Sequence, residues 1–362
     1  MARMKVFVFD PVAAGGAPAR PLPQSLRRQG EMVLQALLAD LGALSGIEVV
    51  TPAGLVPGAG PAARPGSAPR PGLDEDVETG GAALDAYGAA DGPHRFGTGF
   101  TRGLDAADAV WPLASESDGA LACLSRAVLR GKRILLGSAP GAVEVAASKL
   151  KLARVLAEGG IAVVATYSPH AALPQDSGPW VVKPDDGAGC LDTRLFSDRT
   201  AALAWIRASA ADGYVLQPFV AGKLGSLSLI CCDGTARVLA CNLERVAMRD
   251  NRFHFLGSVV NGLADDDGAL ARLAQQVAAA IPSLWGYVGV DFVLTARGAM
   301  VLDVNPRLTA AYAGLHASIG CNPAGLVLDL LKNPTANSAA HSAAMAAPVG
   351  MRRAVSIDVA TS

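Results

Sequence analysis

Apolar residues along this chain recur with two periods, one of two residues and one near 3.6, and their order predicts the architecture. Lys5-Val6-Phe7-Val8-Phe9-Asp10 predicts a buried first strand followed by a Gly/Pro loop. Over Ser25–Leu44 the apolar positions Leu26, Met32, Val33, Ala36, Leu37, Leu38 and Leu41 form a helical stripe, and Ile47–Thr51 reads as a second strand. Strand, helix and strand in that order open a parallel α/β sheet. The pattern resumes with a strand at Ala109–Leu113, a helix at Gly119–Leu129 and a strand at Arg133–Leu136. Residues 1–142 therefore read as a doubly wound parallel α/β domain.

Between Pro52 and about Gly103 the periodicity dissolves. The Pro/Gly-rich part, Val56–Gly72, reads as an insertion that is disordered or lid-like, and the residues after it as short irregular helix. Beyond residue 142 the elements change character. Val143–Gly159 predicts one amphipathic helix containing Ser148-Lys149, and Trp180–Pro184 a strand stopped by a proline. Thr200–Ala208 predicts a helix and Tyr214–Phe219 a strand. Gly225–Cys232 with Arg237–Leu243 predicts an antiparallel hairpin around Asp233-Gly234. A helix at Gly268–Ile281, a second hairpin of Gly286–Leu294 with Ala299–Asn305, and a helix at Pro323–Leu331 follow. Residues 143–220 then form a small α+β lid domain, 221–335 an α+β domain with an antiparallel sheet, and 336–362 a tail in which Arg353–Val359 reads as a last edge strand.

Composition narrows the class. In 362 residues, 31 Lys and Arg face 32 Asp and Glu, without the basic excess that non-specific nucleic-acid binding needs. Mean hydropathy is +0.32, yet no run of eighteen apolar residues lacks a charge or turn former, so no membrane span is expected. Met1–Asp10 is too short, and too soon followed by Pro and Gly, for a secretory signal; the expected location is the cytoplasm. The six cysteines form no C-x-x-C pair and lie mostly in apolar runs, which reads as reduced and structural. The 40 Gly and 23 Pro supply more turns than the predicted elements consume.

Two segments carry chemistry. In Val290-Asp291-Phe292 and Val301-Leu302-Asp303-Val304-Asn305-Pro306-Arg307, acids and an amide sit within apolar strands that disfavour them. Asp303 and Asn305, two apart, project from one face; with Asp291 across the hairpin they would present three oxygen ligands. Mg²⁺ takes such a set when substrate phosphates complete its shell, and Arg307 could reach a phosphate oxygen. The plainer alternative is a hairpin with solvated polar residues. The second segment is Val181-Val182-Lys183-Pro184 followed by Asp185-Asp186-Gly187-Ala188-Gly189-Cys190. A strand-end lysine and a glycine turn can hold an anion, although this is neither a G-x-x-x-x-G-K-[ST] loop nor a G-x-G-x-x-G turn.

In order and spacing these pieces, with Ser148-Lys149 and the stretch Leu216-Gln217-Pro218-Phe219-Val220-Ala221-Gly222, resemble the ATP-grasp superfamily of carboxylate–amine ligases over about residues 105–331. The N-terminal segment Ser25–Met32 and the turn Trp111–Asp118 also look like the tyramine–glutamate ligases of methanofuran-type cofactor biosynthesis. The resemblance implies the ATP-grasp fold, ATP and Mg²⁺ (one or two ions, or Mn²⁺ instead) as cofactors, and a homodimer. It implies that Lys149 and Lys183 contact nucleotide phosphates, that Asp186, Gly187, Ala188 and Gly189 close over them, and that Gln217, Pro218, Phe219 and Val220 hold adenine. Asp291, Asp303 and Asn305 would bind metal and Arg307 the transferring phosphate, with Arg307 and Lys183 as catalytic groups.

The family's E-x-N-P motif has Asp303 in place of its acid, one methylene shorter. A ribose-binding acid found in relatives is replaced by Leu224, which leaves Lys223 or a loop backbone for the ribose. The implied reaction joins a glutamate side-chain carboxylate to an aromatic amine, tyramine or tyrosine, through an acyl phosphate. Addition of an amino acid to a pterin or peptide is one alternative, and a catalytically silent nucleotide-binding regulator another. Small-molecule acids and amines are then the partners. Asn242–Arg245, His254 and Tyr312–Gly314 fall where such ligases meet substrate. Glu116 could pair with a substrate ammonium and Arg245 with a substrate carboxylate; the structural alternatives are a helix cap and a salt bridge. Cys190 falls in the lid turn and is not needed as a nucleophile.

Overall fold

The protein is described from a computed structural model, which covers residues 3–15, 22–52, 96–175, 178–187, 189–209, 213–332 and 352–359. Its first unit runs β1 (Met4–Phe9), α1 (Gln24–Gly42), β2 (Ile47–Val50), α2 (Gly97–Ala106), β3 (Ala109–Pro112), α3 (Ala120–Arg130) and β4 (Ile134–Leu135). The four strands form a parallel sheet in the order β2-β1-β3-β4. Alternation along β1 explains why helices cover both faces. Val6 and Val8 pack on Val33, Leu37 and Leu41 of α1, while Phe7 and Phe9 pack on Phe100 and Leu104 of α2 and Leu124 and Val128 of α3. At Gly103 a Cβ would lie 2.2 Å from the Phe7 ring, so only glycine admits this approach of helix to strand. The unit is doubly wound, as the sequence predicts.

The chain continues through α4 (Pro140–Ala147), α5 (Lys149–Glu158), β5 (Trp180–Pro184), β6 (Arg194–Phe196), α6 (Arg199–Ala208), β7 (Tyr214–Pro218), β8 (Lys223–Cys232), β9 (Thr235–Arg249) and β10 (Arg252–Val260). It then forms α7 (Ala269–Ala280), β11 (Gly286–Thr295), β12 (Gly298–Asn305), α8 (Tyr312–Ile319), α9 (Pro323–Asp329) and β13 (Val355–Asp358). These strands build one sheet ordered β12-β11-β8-β9-β10-β6-β5-β7, with β13 added antiparallel to β10. One face of it is apolar. Leu227, Leu229, Cys241, Val288, Val290, Phe292, Val301 and Val304 pack on Leu270, Leu273 and Val277 of α7 and on Leu152 and Leu156 of α5. The opposite face carries the polar positions.

The single helix predicted over Val143–Gly159 is two helices. Ser148 adopts an extended backbone (φ −109°, ψ 112°), and its Oγ accepts from the Lys151 amide at 3.1 Å. A serine there caps a new helix instead of continuing the old one. The break aims the first turn of α5 at the glycine turn: the Lys149 amide donates to the Asp185 carbonyl and the Leu150 amide to Asp185 Oδ1.

The first predicted hairpin extends into a third strand, β10, through a turn in which Asp250 and Asn251 take positive φ (51° and 57°). Asp and Asn tolerate that conformation better than other side chains. β6 meets β10 at one pair, Arg194 opposite Arg252. The Val56–Gly72 insertion and residues 336–351 of the tail lie outside the described residues, while β13 occupies the predicted last strand. Among the described residues no helix is long and apolar enough to cross a membrane.

Candidate functional site

The polar face of the large sheet floors a cleft of about 240 Å³, roofed by β5, the glycine turn and the β7–β8 connection. Asp291 pairs directly opposite Asp303, and Asn305 lies opposite Gly289, so the three predicted ligands share one face. Asn305 Nδ2 donates to Asp291 Oδ2 at 3.0 Å, and Asp303 Oδ2 lies 3.2 Å from Lys149 Nζ. Burial, together with the charges of Glu244 and Asp303, pushes the Asp291 carboxyl up to about 7. That repulsion marks a place where a divalent cation would be stabilised. The donor set fits Mg²⁺: two acids and an amide, with no cluster of three or more His, Cys, Asp or Glu side chains suited to a metal among the described residues, leaving coordination positions to phosphates and water.

Lys149 is buried and donates to the Gly187 carbonyl at 2.6 Å and the Asp185 carbonyl at 3.2 Å. Lys183 enters the cleft from near the end of β5; burial and then the neighbouring Lys149 charge lower its pKa to about 8. Two amines that repel each other in one cleft, with Asp303 the acid that pairs with Lys149, suit a polyphosphate. Arg307 donates through Nε to Glu116 Oε2 at 2.9 Å and through Nη2 to Asn305 Oδ1 at 3.2 Å. Burial alone would lower its pKa, but Glu116, Asp291 and Asp303 together outweigh that and hold it raised.

The glycine turn is docked rather than free. Ser117 Oγ donates to the Asp186 carbonyl at 2.7 Å, and the Asp118 amide donates to Asp186 Oδ2 at 3.1 Å. Gly187 and Gly189 line the cleft, Asp186 does not, and Ala188 lies outside the described residues. Cys190 also lines it, at φ +61°, and burial pushes its thiol up to about 11, which argues against a nucleophilic role. Gln217, Pro218, Phe219 and Val220 line the other end, where Gln217 Nε2 donates to Thr166 Oγ1 at 2.8 Å.

Three predicted substrate contacts are placed elsewhere. Glu116 is bound to Arg307, so it positions that guanidinium instead of waiting for an ammonium, and its Oε1 is buried without a partner. Arg245 points away from the cleft because Arg245 and Glu244, adjacent on a strand, face opposite sides; its Nη2 donates to the Ile357 carbonyl at 2.8 Å and to Asp358 of β13. Tyr312 is buried in the core, and its hydroxyl donates to Asp40 Oδ2 at 2.8 Å, joining α8 to α1. Lys223 and His254 are exposed and off the cleft, whereas Leu224 lines it. Glu244, which falls within the predicted Asn242–Arg245 substrate segment, lines it, as do Ser226 and Ser258, which the sequence reading did not name. The alternation Asn242, Glu244, Val246 held the signal, since those three share one face of β9.

This arrangement, a parallel α/β unit followed by a cleft between two parts of an antiparallel sheet, is the ATP-grasp fold. Residues 146–311 match the family model described as the ATP-grasp domain, and residues 83–143 that of the pre ATP-grasp 3 domain. An ATP-grasp superfamily protein from Archaeoglobus fulgidus is similar over 90% of this chain and 88% of its own, at 18% identity and a TM-score of 0.60. The L-amino acid ligase from Bacillus licheniformis is similar over 96% of this chain and 78% of its own (17% identity, TM-score 0.61). The D-alanine–D-alanine ligase from Bacillus anthracis, solved with ATP, is similar over 91% and 97% (13% identity, TM-score 0.57). No curated protein matches the sequence.

Proposed function

We propose that this protein is an ATP- and Mg²⁺-dependent ligase that joins a carboxylate to an amine through an acyl phosphate. The observation that carries this reading is the convergence of Lys149, Lys183 and Arg307 with Asp291, Asp303 and Asn305 in one cleft. Bound Mg²⁺ would supply charge neutralisation for the phosphates. Asp291, Asp303 and Asn305 would hold it. Lys149 and Lys183 would bind the polyphosphate, and Arg307, aimed by Glu116, would meet the transferred phosphoryl group. The acid's oxygen attacks that group, ADP leaves, and the acyl phosphate is then opened by the amine with loss of phosphate. Gly187 and Gly189 would keep water from the acyl phosphate.

The finer reading is a glutamate side-chain carboxylate as acid and an aromatic amine such as tyramine as nucleophile, in assembly of a methanofuran-type carrier. The support is the apolar wall of Val246, Phe253 and Phe255 on the cleft. ADP release and amide mass, measured with ATP, Mg²⁺, glutamate and tyramine, test both levels. Amide from other acid–amine pairs alone would refute the finer reading; no stimulation by any pair would refute the ligase.

A further inference from the structure

A row of polar side chains crosses the cleft floor and continues past the acids. Asp303 on β12 faces Asp291 on β11, Asp291 faces Ser226 on β8, and on the next strands Glu244 of β9 faces Ser258 of β10. Glu244 is the last charge in that row. Its Oε1 accepts from Ser226 Oγ and its Oε2 from Ser258 Oγ, each at 2.5 Å. The hydroxyl direction is set from behind: Asn242 Nδ2 donates to Ser226 Oγ and to Ser228 Oγ, both at 3.1 Å, which leaves the Ser226 proton for Glu244. Both carboxylate oxygens are thus held as acceptors, each with capacity for another donor.

Glu244 has no ion-pair partner on its own face of the sheet among the described residues. Asp303 has Lys149, Glu116 has Arg307, and Arg245 serves Asp358 on the opposite face. Among the described residues no Lys, Arg or His forms an ion pair with Glu244; its partners are hydroxyls. Burial raises its pKa, against the lowering effect of the two serine hydroxyls and of the Arg245 charge on the other side of the strand. Beside it on the same face stands Val246, with Phe255 opposite Val246 and Phe253 two residues beyond. A carboxylate at the foot of an apolar wall is complementary to a cation with an apolar body.

We propose that Glu244 binds the ammonium group of the amine substrate, and that Val246, Phe253 and Phe255 hold the apolar remainder. The ligand class is a primary amine with an aromatic or aliphatic body. The assignment rests on the ligase reading above and names the residue that selects the amine. Glu244 and Asp291 stand two strands apart, about 10 Å between backbones, so an amine held by the first faces the acyl group held near the second.

Titration calorimetry of tyramine, and of 4-ethylphenol as the same ring without the ammonium, tests this on the full chain with ADP present. Wild type should bind tyramine more tightly than 4-ethylphenol, and Glu244→Gln should weaken tyramine about tenfold or more while leaving 4-ethylphenol unchanged. Equal tyramine affinity in both proteins, or no preference for tyramine in wild type, would overturn the assignment. Hydroxylamine, uncharged at neutral pH, separates the two levels of the account. With ATP, Mg²⁺ and glutamate, hydroxamate should form in wild type, and Glu244→Gln should lose far less of this activity than of tyramine ligation. Hydroxamate lost only in the variant would mean that Glu244 serves acyl-phosphate formation and not amine recognition. No hydroxamate in either protein would count against the glutamate ligase reading, while the calorimetry would still decide Glu244.

Discussion

Arg307 Nε and Glu116 Oε2 lie 2.9 Å apart, joining residues 191 positions apart in the chain. Glu116 follows β3 of the parallel sheet and Arg307 follows β12 of the antiparallel one, so the ion pair ties the two units at the cleft. The pair is largely buried, and Arg307 also reaches Asn305.

Replacing Glu116 by Ala strands a buried guanidinium, which costs on the order of 3 kcal/mol. Turnover should fall about tenfold or more, because the arginine loses the partner that aims it, while nucleotide binding persists. Denaturant unfolding and steady-state kinetics on the variant check both parts. Unchanged kinetics would remove Glu116 from the positioning role.

Asp303 faces both the proposed metal and Lys149. Asp303→Asn keeps the shape but removes the charge, so turnover should be lost with nucleotide binding still measurable by calorimetry. Wild-type turnover in this variant would exclude Asp303 as a ligand.

Lys183 gives a pH signature. Its pKa is lowered to about 8, so near pH 8 about half of the free protein carries a neutral amine. A bound phosphate restores the pKa, and the missing proton is taken up from solution. Metal-free ADP binding at pH 8, followed calorimetrically in buffers of different ionisation enthalpy, should take up about half a proton more in wild type than in Lys183→Gln. Equal proton uptake in the two proteins would contradict this placement.

Tyr312 is predicted to be structural. Tyr312→Phe leaves Asp40 without one donor and should lower stability by about 1–3 kcal/mol, with Michaelis constants for both substrates unchanged. A raised Michaelis constant at unchanged stability would return Tyr312 to the substrate site.

Much of this site is legible in the sequence because strand alternation is strict. Asp303 and Asn305 two apart, and Asp291 one hairpin away, had only one face to share, and the structure places them there. The same rule, applied to Asn242–Arg245, separates Glu244 from Arg245 and puts Glu244 on the face it shares with Val246. Glu116 and Tyr312 were illegible for a different reason. Their partners, Arg307 and Asp40, are 191 and 272 residues away, and no local pattern encodes which distant charge or donor a side chain will meet. The break at Ser148 was readable, since a serine three residues before an amide it can cap competes with helix continuation.

The central claim is that the acid is activated by phosphoryl transfer before the amine attacks. Glutamate labelled with ¹⁸O in its side-chain carboxylate, incubated with ATP, Mg²⁺, tyramine and this protein, tests it most directly. The account predicts that each phosphate released carries one ¹⁸O atom from the carboxylate, with ADP and the amide as the other products. Unlabelled phosphate accompanying amide formation, or AMP in place of ADP, would contradict it.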